Sequence, residues 1–399
     1  MRRKFWQVPA LHTEEEQGEH RRVTWLELFF DLFMVVVVAE LGHHLAEHPD
    51  PDGVRAFILL FLPLWWIWIG VTYYNERFET AGFENRLATF AVMVPVIGLA
   101  ATAEHALSES FANFALSYAI ARVIITLLWL RATIQVPVFR PTGIRFVIGF
   151  TASIVLVVAA INLPDPTRLA VFGLALIIDM VTPLLTLKQQ RALPRFSTSK
   201  LPERFGLFVI IVLGETVVAT VRALAALETR GIALFLQAAA GVAIGFSLWW
   251  IYFDYVGRRP PRPSTGWSFL WGYGHLPLVM SIVAVGAGIQ HTLASEGVMS
   301  EDARRLIAGA LGVAILLTAL LEHSTSRGQL EPAHPIISPA LKVATGVVAV
   351  VLGFAWPLDR PGTLLGALIG LQLVNMVYGL WVWYTQELPE GHRETGHAS

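Results

Sequence analysis

Apolar runs of about 20 residues alternate with short polar clusters along the chain, some twelve times between residues 24 and 386. The first run covers 24–46 and the last 362–386. Each matches the ~20 residues a helix needs to cross ~30 Å of hydrocarbon. The connections carry Pro, Arg, Gly and Ser, as in RRPPRPSTG at 258–266, and read as surface loop. The runs 86–108 and 110–131 are nearly continuous. The pattern predicts an all-α, polytopic membrane protein of about twelve transmembrane helices.

A second layer of order lies above this one. Shifting the chain by 184 residues lays Asp31 on Glu215 and Leu64-Trp65-Trp66 on Leu248-Trp249-Trp250. A shift of 186 lays Glu104-His105 on Gln290-His291. The slow drift is what small insertions produce. It predicts two parallel six-helix repeats related by an axis along the membrane normal. The expected organisation is a tail over 1–22, a first repeat over 23–190 and a linker over 191–203. A second repeat over 204–386 and a tail over 387–399 complete it.

Composition agrees. Of 399 residues, 55% are hydrophobic and 15% charged, against roughly 25% charged in a soluble domain. The net charge of -1 gives no reason to expect a nucleic-acid partner. With no cysteine there is no disulfide frame, thiolate metal site or Cys nucleophile. Residues 1–22 hold no apolar core of the kind a cleavable signal peptide needs. Lys and Arg alternate from side to side with the runs. About 21 fall on the side of the N-terminus and 7 on the other, with Arg122 left inside a span. Both termini are therefore expected on the cytoplasmic side of the membrane.

Polar groups inside hydrocarbon must be paired, cavity-facing or neutral. Glu27 and Asp31 in WLELFFDL are four apart and share a helix face. By helix rise Asp31 stands about 15 Å beyond Arg22, near mid-membrane. Two such carboxylates resist joint ionisation unless a cation lies between them. They read either as a proton or cation site, or as structural partners of Arg122 or of Arg21 and Arg22. Arg122, costly to insert unpaired, is expected beside Asp31 or Glu27. In RFGLFVIIVLGE, Glu215 lies eleven residues past Arg204 on the same face. The repeat would bring it close to Asp31 about the axis.

Other groups carry less. Asp179 needs a partner that the sequence does not name. Glu40, His43 and His44 are spaced as metal ligands could be, but at a span's outer end they read as a solvated cap. His105 and His291 read as wet helix ends. His275, two residues before Pro277, could handle protons or satisfy a carbonyl freed by the proline. The Trp-rich stretches 65–68 and 249–250 fit an interfacial belt or a cavity lining equally. No phosphate-cradling Gly-rich loop, H-E-x-x-H or G-x-S-x-G occurs, and no metal or cofactor is expected.

WLELFFDL, RFGLFVIIVLGE, LWWIYFD at 248–254 and GHLPLVM at 274–280 together resemble the bacterial low-temperature-requirement A (LtrA) family, over roughly residues 20–385. The resemblance implies a polytopic inner-membrane protein without a settled activity. It places the family's polar signature on Glu27, Asp31, Arg204, Glu215, Asp254 and His275. Two six-helix halves with intramembrane acids, and no soluble domain, lead to a proton- or cation-linked transporter or ion pathway. Its partners would be the lipid bilayer and a small solute or ion. The alternatives are a membrane-embedded enzyme or lipid-binding protein acting on a lipid-borne substrate, and a structural or adaptor protein. A cavity open alternately to either side would favour the first, and a lateral gap the second.

Overall fold

The computed structural model describes residues 7–12, 22–78, 82–226, 231–294, 298–327 and 334–385. The expected tails fall mostly outside these residues. Residues 7–12 lie against the helices, His12 N–H donating to the Arg77 carbonyl at 3.1 Å.

The described residues form thirteen α-helices. In chain order they are α1 Trp25–Glu47, α2 Pro51–Phe78, α3 Phe83–Thr102, α4 Phe111–Gln135, α5 Arg140–Ala160, α6 Thr167–Leu185 and the single turn α7 Leu187–Gln190. They continue with α8 Lys200–Ala226, α9 Ile232–Tyr252, α10 Thr265–Ala294, α11 Glu301–Ser324, α12 Ile337–Phe354 and α13 Pro361–Thr385. A π-helical turn, Phe253–Gly257, extends α9. Among the described residues there is no strand, only an isolated bridge between Pro261 and Thr325. Eleven of the helices are long and apolar enough to cross a membrane.

The remaining long helix, α1, is marked out by acids, and its two faces show how it sits. Trp25, Phe29, Leu32 and Val36 each leave half or more of their surface uncovered, whereas Glu27 and Asp31 are 1% exposed or less. A soluble amphipathic helix does the reverse. An outward Trp/Phe/Leu/Val stripe needs a lipid solvent, so α1 reads as the twelfth span. Its start is set locally. Thr24 and Glu27 form a capping box, the Glu27 carboxylate accepting from Thr24 N–H at 2.9 Å.

The predicted runs match these helices within a few residues, with one instructive exception. The third run was expected to reach residue 108, but α3 stops at Thr102. Residues 103–110 instead form successive tight turns, with Ala106 N–H donating to Ala103 and Ser108 N–H to His105. Those turns separate the two nearly continuous runs.

The chain divides into two compact units, Met1–Glu215 and Thr216–Ser399. The division falls within α8, and the 191–203 connection lies inside the first unit. In the first unit α1 packs on α2 and α3, while α3 to α6 pack each on the next. In the second, α10, α11 and α12 pack in sequence and α9 lies against α13. The α11–α12 contact is close because both helices present glycine. A Cβ on Gly312 would stand 2.6 Å from the Gly346 carbonyl oxygen.

Candidate functional site

Two helix faces with matching spacing build the most polar part of the first unit. Glu27 and Asp31 are four apart on α1; Lys200 and Arg204 are four apart on α8. Each pair therefore makes a one-turn ladder on its own helix, and the ladders interlock. Lys200 Nζ lies 3.1 Å from Glu27 Oε2, and an Arg204 amine lies 2.7 Å from Glu27 Oε1. The other terminal amine of Arg204 donates to Asp31 Oδ1 at 3.2 Å. Its Nε donates to the Thr72 hydroxyl at 2.9 Å.

All four charged residues are buried. Burying two anions and two cations in alternation removes the repulsion between the carboxylates that the sequence alone implied. The loop before α8 is fixed as well. Ser197 N–H donates to Glu76 at 2.6 Å, and Lys200 N–H donates to the Ser197 hydroxyl at 3.0 Å.

Aromatic rings close the cluster. Trp68 Nε1 donates to Asp31 Oδ1 at 2.8 Å, and its ring stacks on Phe208 with centroids 4.4 Å apart. Trp65 packs edge-on against Phe205 and Phe208. Trp65, Trp66 and Trp68 are buried. Trp65 and Trp68 form the core around the ion cluster, and none of the three is an exposed belt residue. Asp31 Oδ1 thus has two donors. Asp31 Oδ2 is equally buried and has no hydrogen-bond partner among the described residues.

The structure corrects the expectation for Arg122. Its guanidinium grips Asp179, not Asp31 or Glu27, through bonds of 3.0 and 2.7 Å to the two carboxylate oxygens. The Tyr118 hydroxyl donates to the same carboxylate at 2.6 Å, and the Phe150 ring lies 4.4 Å from the guanidinium. Arg204 already lies between Glu27 and Asp31, and Arg122 pairs with another buried acid of its unit. Both ends of this pair are fully sequestered, and it holds α4 to α6.

Glu215 stands apart from the ladders. Eleven residues beyond Arg204 on α8, it is about 16 Å further along the helix and half-buried.

In the second unit, His275 is buried with both ring nitrogens engaged. Nδ1 lies 2.7 Å from the Trp271 carbonyl, which can only accept, so Nδ1 donates. Nε2 then accepts from the Tyr252 hydroxyl at 3.0 Å. A neutral imidazole satisfies both bonds. The carbonyl it meets is that of Trp271, not the one freed by Pro277. Asp254 sits exposed on the π-helical turn, with Trp250, Arg258, Arg259 and Lys342 as its neighbours.

A second buried ion cluster escaped the sequence reading. Glu322 Oε2 lies 3.1 Å from Lys342 Nζ and accepts from the Ser338 hydroxyl at 3.0 Å. Its Oε1 takes Arg327 at 3.2 Å and faces Arg259 at 3.9 Å. Lys342 Nζ also stands 3.3 Å over the Tyr255 ring. Glu322 and Lys342 lay at the ends of predicted spans, where charged residues are ordinary. Lys200 was expected in the 191–203 linker, although its spacing to Arg204 copies that of Glu27 to Asp31 and the helix takes it in.

A multi-pass helical membrane protein whose buried acids are neutralised from neighbouring helices is what these observations define. The chain belongs to the bacterial low temperature requirement A protein (LtrA) family, whose pattern matches residues 22–384. A relative, "Uncharacterized protein RA0937" of Rhizobium meliloti (strain 1021), is 27% identical over 297 residues, covering 70% of this chain and 72% of its own length. No solved structure matches significantly.

Proposed function

We propose that this chain is a proton- or cation-linked transporter of a small solute or ion, with the Glu27–Asp31–Lys200–Arg204 cluster as its coupling site. One observation carries this reading. Asp31 is fully buried, and its Oδ1 has two donors while its Oδ2 has no hydrogen-bond partner among the described residues. The carboxylate can therefore take a proton on Oδ2 without surrendering a bond on Oδ1. Protonation then weakens only its attraction to Arg204, which Glu27 still holds. That is a small switch in charge within a fixed frame, as a proton relay requires.

The test is decay of an imposed pH gradient across liposomes carrying the purified protein, read with an internal pH dye. Wild type should dissipate the gradient or couple it to cation flux. Asp31→Asn, folded and inserted, should lose at least tenfold of that rate. Absence of flux in wild type under proton and cation gradients alike, or full flux in Asp31→Asn, would refute the reading. The bias of Lys and Arg supports both termini lying in the cytoplasm. A reporter fused after residue 399 should be active there, and activity only on the far side would reverse the topology.

A further inference from the structure

The far end of α1 carries a cluster of metal-binding side chains that the coupling site does not use. His44, Glu47 and His48 follow one another as H-x-x-E-H, so the two imidazoles are one turn apart on one face and the carboxylate is between them. One donor atom from each lies within 4.8 Å of the other two, and the two imidazole rings are 4.8 Å apart. All three are at least partly open to solvent. The sequence had suggested a different grouping, Glu40 with His43 and His44; the end of the helix instead gathers the later carboxylate and the later histidine.

We infer that His44, Glu47 and His48 form a binding site for a borderline divalent transition-metal ion of the Zn²⁺ class. Two imidazole nitrogens and one carboxylate oxygen suit such an ion and are a poor match for Mg²⁺ or Ca²⁺, which take oxygen ligands. Zinc bonds of ~2.0–2.2 Å in a tetrahedron put donor atoms about 3.3 Å apart. The present spread exceeds that by about 1.5 Å, a gap that side-chain rotation closes while the helix stays put. His44 Nδ1 is shielded and makes no hydrogen bond among the described residues, so turning that ring breaks nothing at that atom. Glu47 must leave His43, whose Nε2 is 3.4 Å away in a largely exposed contact of small value.

A fourth ligand can come from water or from across the turn that follows α3. Glu104 and His105 are electrostatic neighbours of His44, and they lie 3.9 Å from each other. Asp50, beside His48, adds negative charge. The donor set is three protein ligands with an open position, on a surface reachable from solvent.

Tag-free full-length protein in detergent, titrated calorimetrically with Zn²⁺ alone, tests the site. Wild type should show one saturable ion per chain. His44→Ala and His48→Ala should each weaken it at least tenfold, and Glu47→Gln less, while His323→Ala in the other unit should leave it unchanged. Co²⁺ should give the visible absorption of a four-coordinate nitrogen/oxygen site in wild type and lose it in His48→Ala. Should either alanine variant fail to fold, His44→Gln and His48→Gln keep the side-chain bulk and take its place. No saturable binding in wild type, or equal affinity in the histidine variants, would overturn the assignment.

Discussion

The first unit and the second each bury a glutamate beside a lysine, at the same 3.1 Å, yet the surroundings differ in sign. Around Glu27, a second carboxylate, Asp31, and a second cation, Arg204, make the charges even. Around Glu322, three cations, Lys342, Arg327 and Arg259, share one buried carboxylate, and the other acid near them, Asp254, is exposed on the π-helical turn. The Tyr255 ring under Lys342 takes part of the role a second acid would play, since an aromatic face attracts a cation. The spare capacity differs accordingly. Glu322 has donors on both oxygens, whereas Asp31 keeps an oxygen that makes no described hydrogen bond. A group with all its bonds made fastens helices together, and one with an acceptor left over can also change state.

This contrast is open to direct attack by substitution, read as the thermal unfolding midpoint in detergent. The largest effect should come from Glu322→Gln, which removes the carboxylate that three cations share. Breaking a buried ion pair costs about 3–5 kcal/mol. Asp31→Asn should cost less, about 1–3 kcal/mol, because Glu27 still faces Arg204 and the amide oxygen can still accept from Trp68. If Asp31→Asn proves the more damaging of the two, the balanced cluster is the structural one and the contrast is reversed. The smallest effect belongs to Lys342→Met, under about 1 kcal/mol. Arg327 and Arg259 remain on Glu322, and the methionine stem keeps its packing on Tyr255. A loss as large as that of Glu322→Gln would show that Lys342 is the counter-charge that matters.

Much of the fold was legible because hydrocarbon imposes length and apolarity on each span, and those are properties of single segments. The capping box at Thr24 and Glu27 was equally local, and the face shared by Glu27 and Asp31 followed from helical spacing. Partners were harder to read. Arg122 and Asp179 are 57 residues apart, and nothing in either segment names the other. The choice was made by helix packing and by Arg204's prior claim on the two α1 acids. Glu322 and Lys342 were hidden in a different way. Charges at the ends of spans are ordinarily solvated, and only the packing of α11 on α12 reveals that these two are enclosed. The tryptophans of α2 show the same limit, since residue type suits belt and core alike.

The lock between Glu27 and Arg204 also sets an order in time. The two residues are 177 positions apart, and ribosomes add about 5–20 residues per second. The first helix therefore waits roughly 10–35 s for its cation after its acids have been made. Through that interval Glu27 and Asp31 lack Lys200 and Arg204, and α1 must lodge with α2 or with the insertion machinery while its charges stay hydrated. Chains truncated before residue 200 should leave α1 open to water-borne labelling reagents, and chains extended past 226 should close it. The electrostatics of α1 are finished only after α2 to α7 have been made.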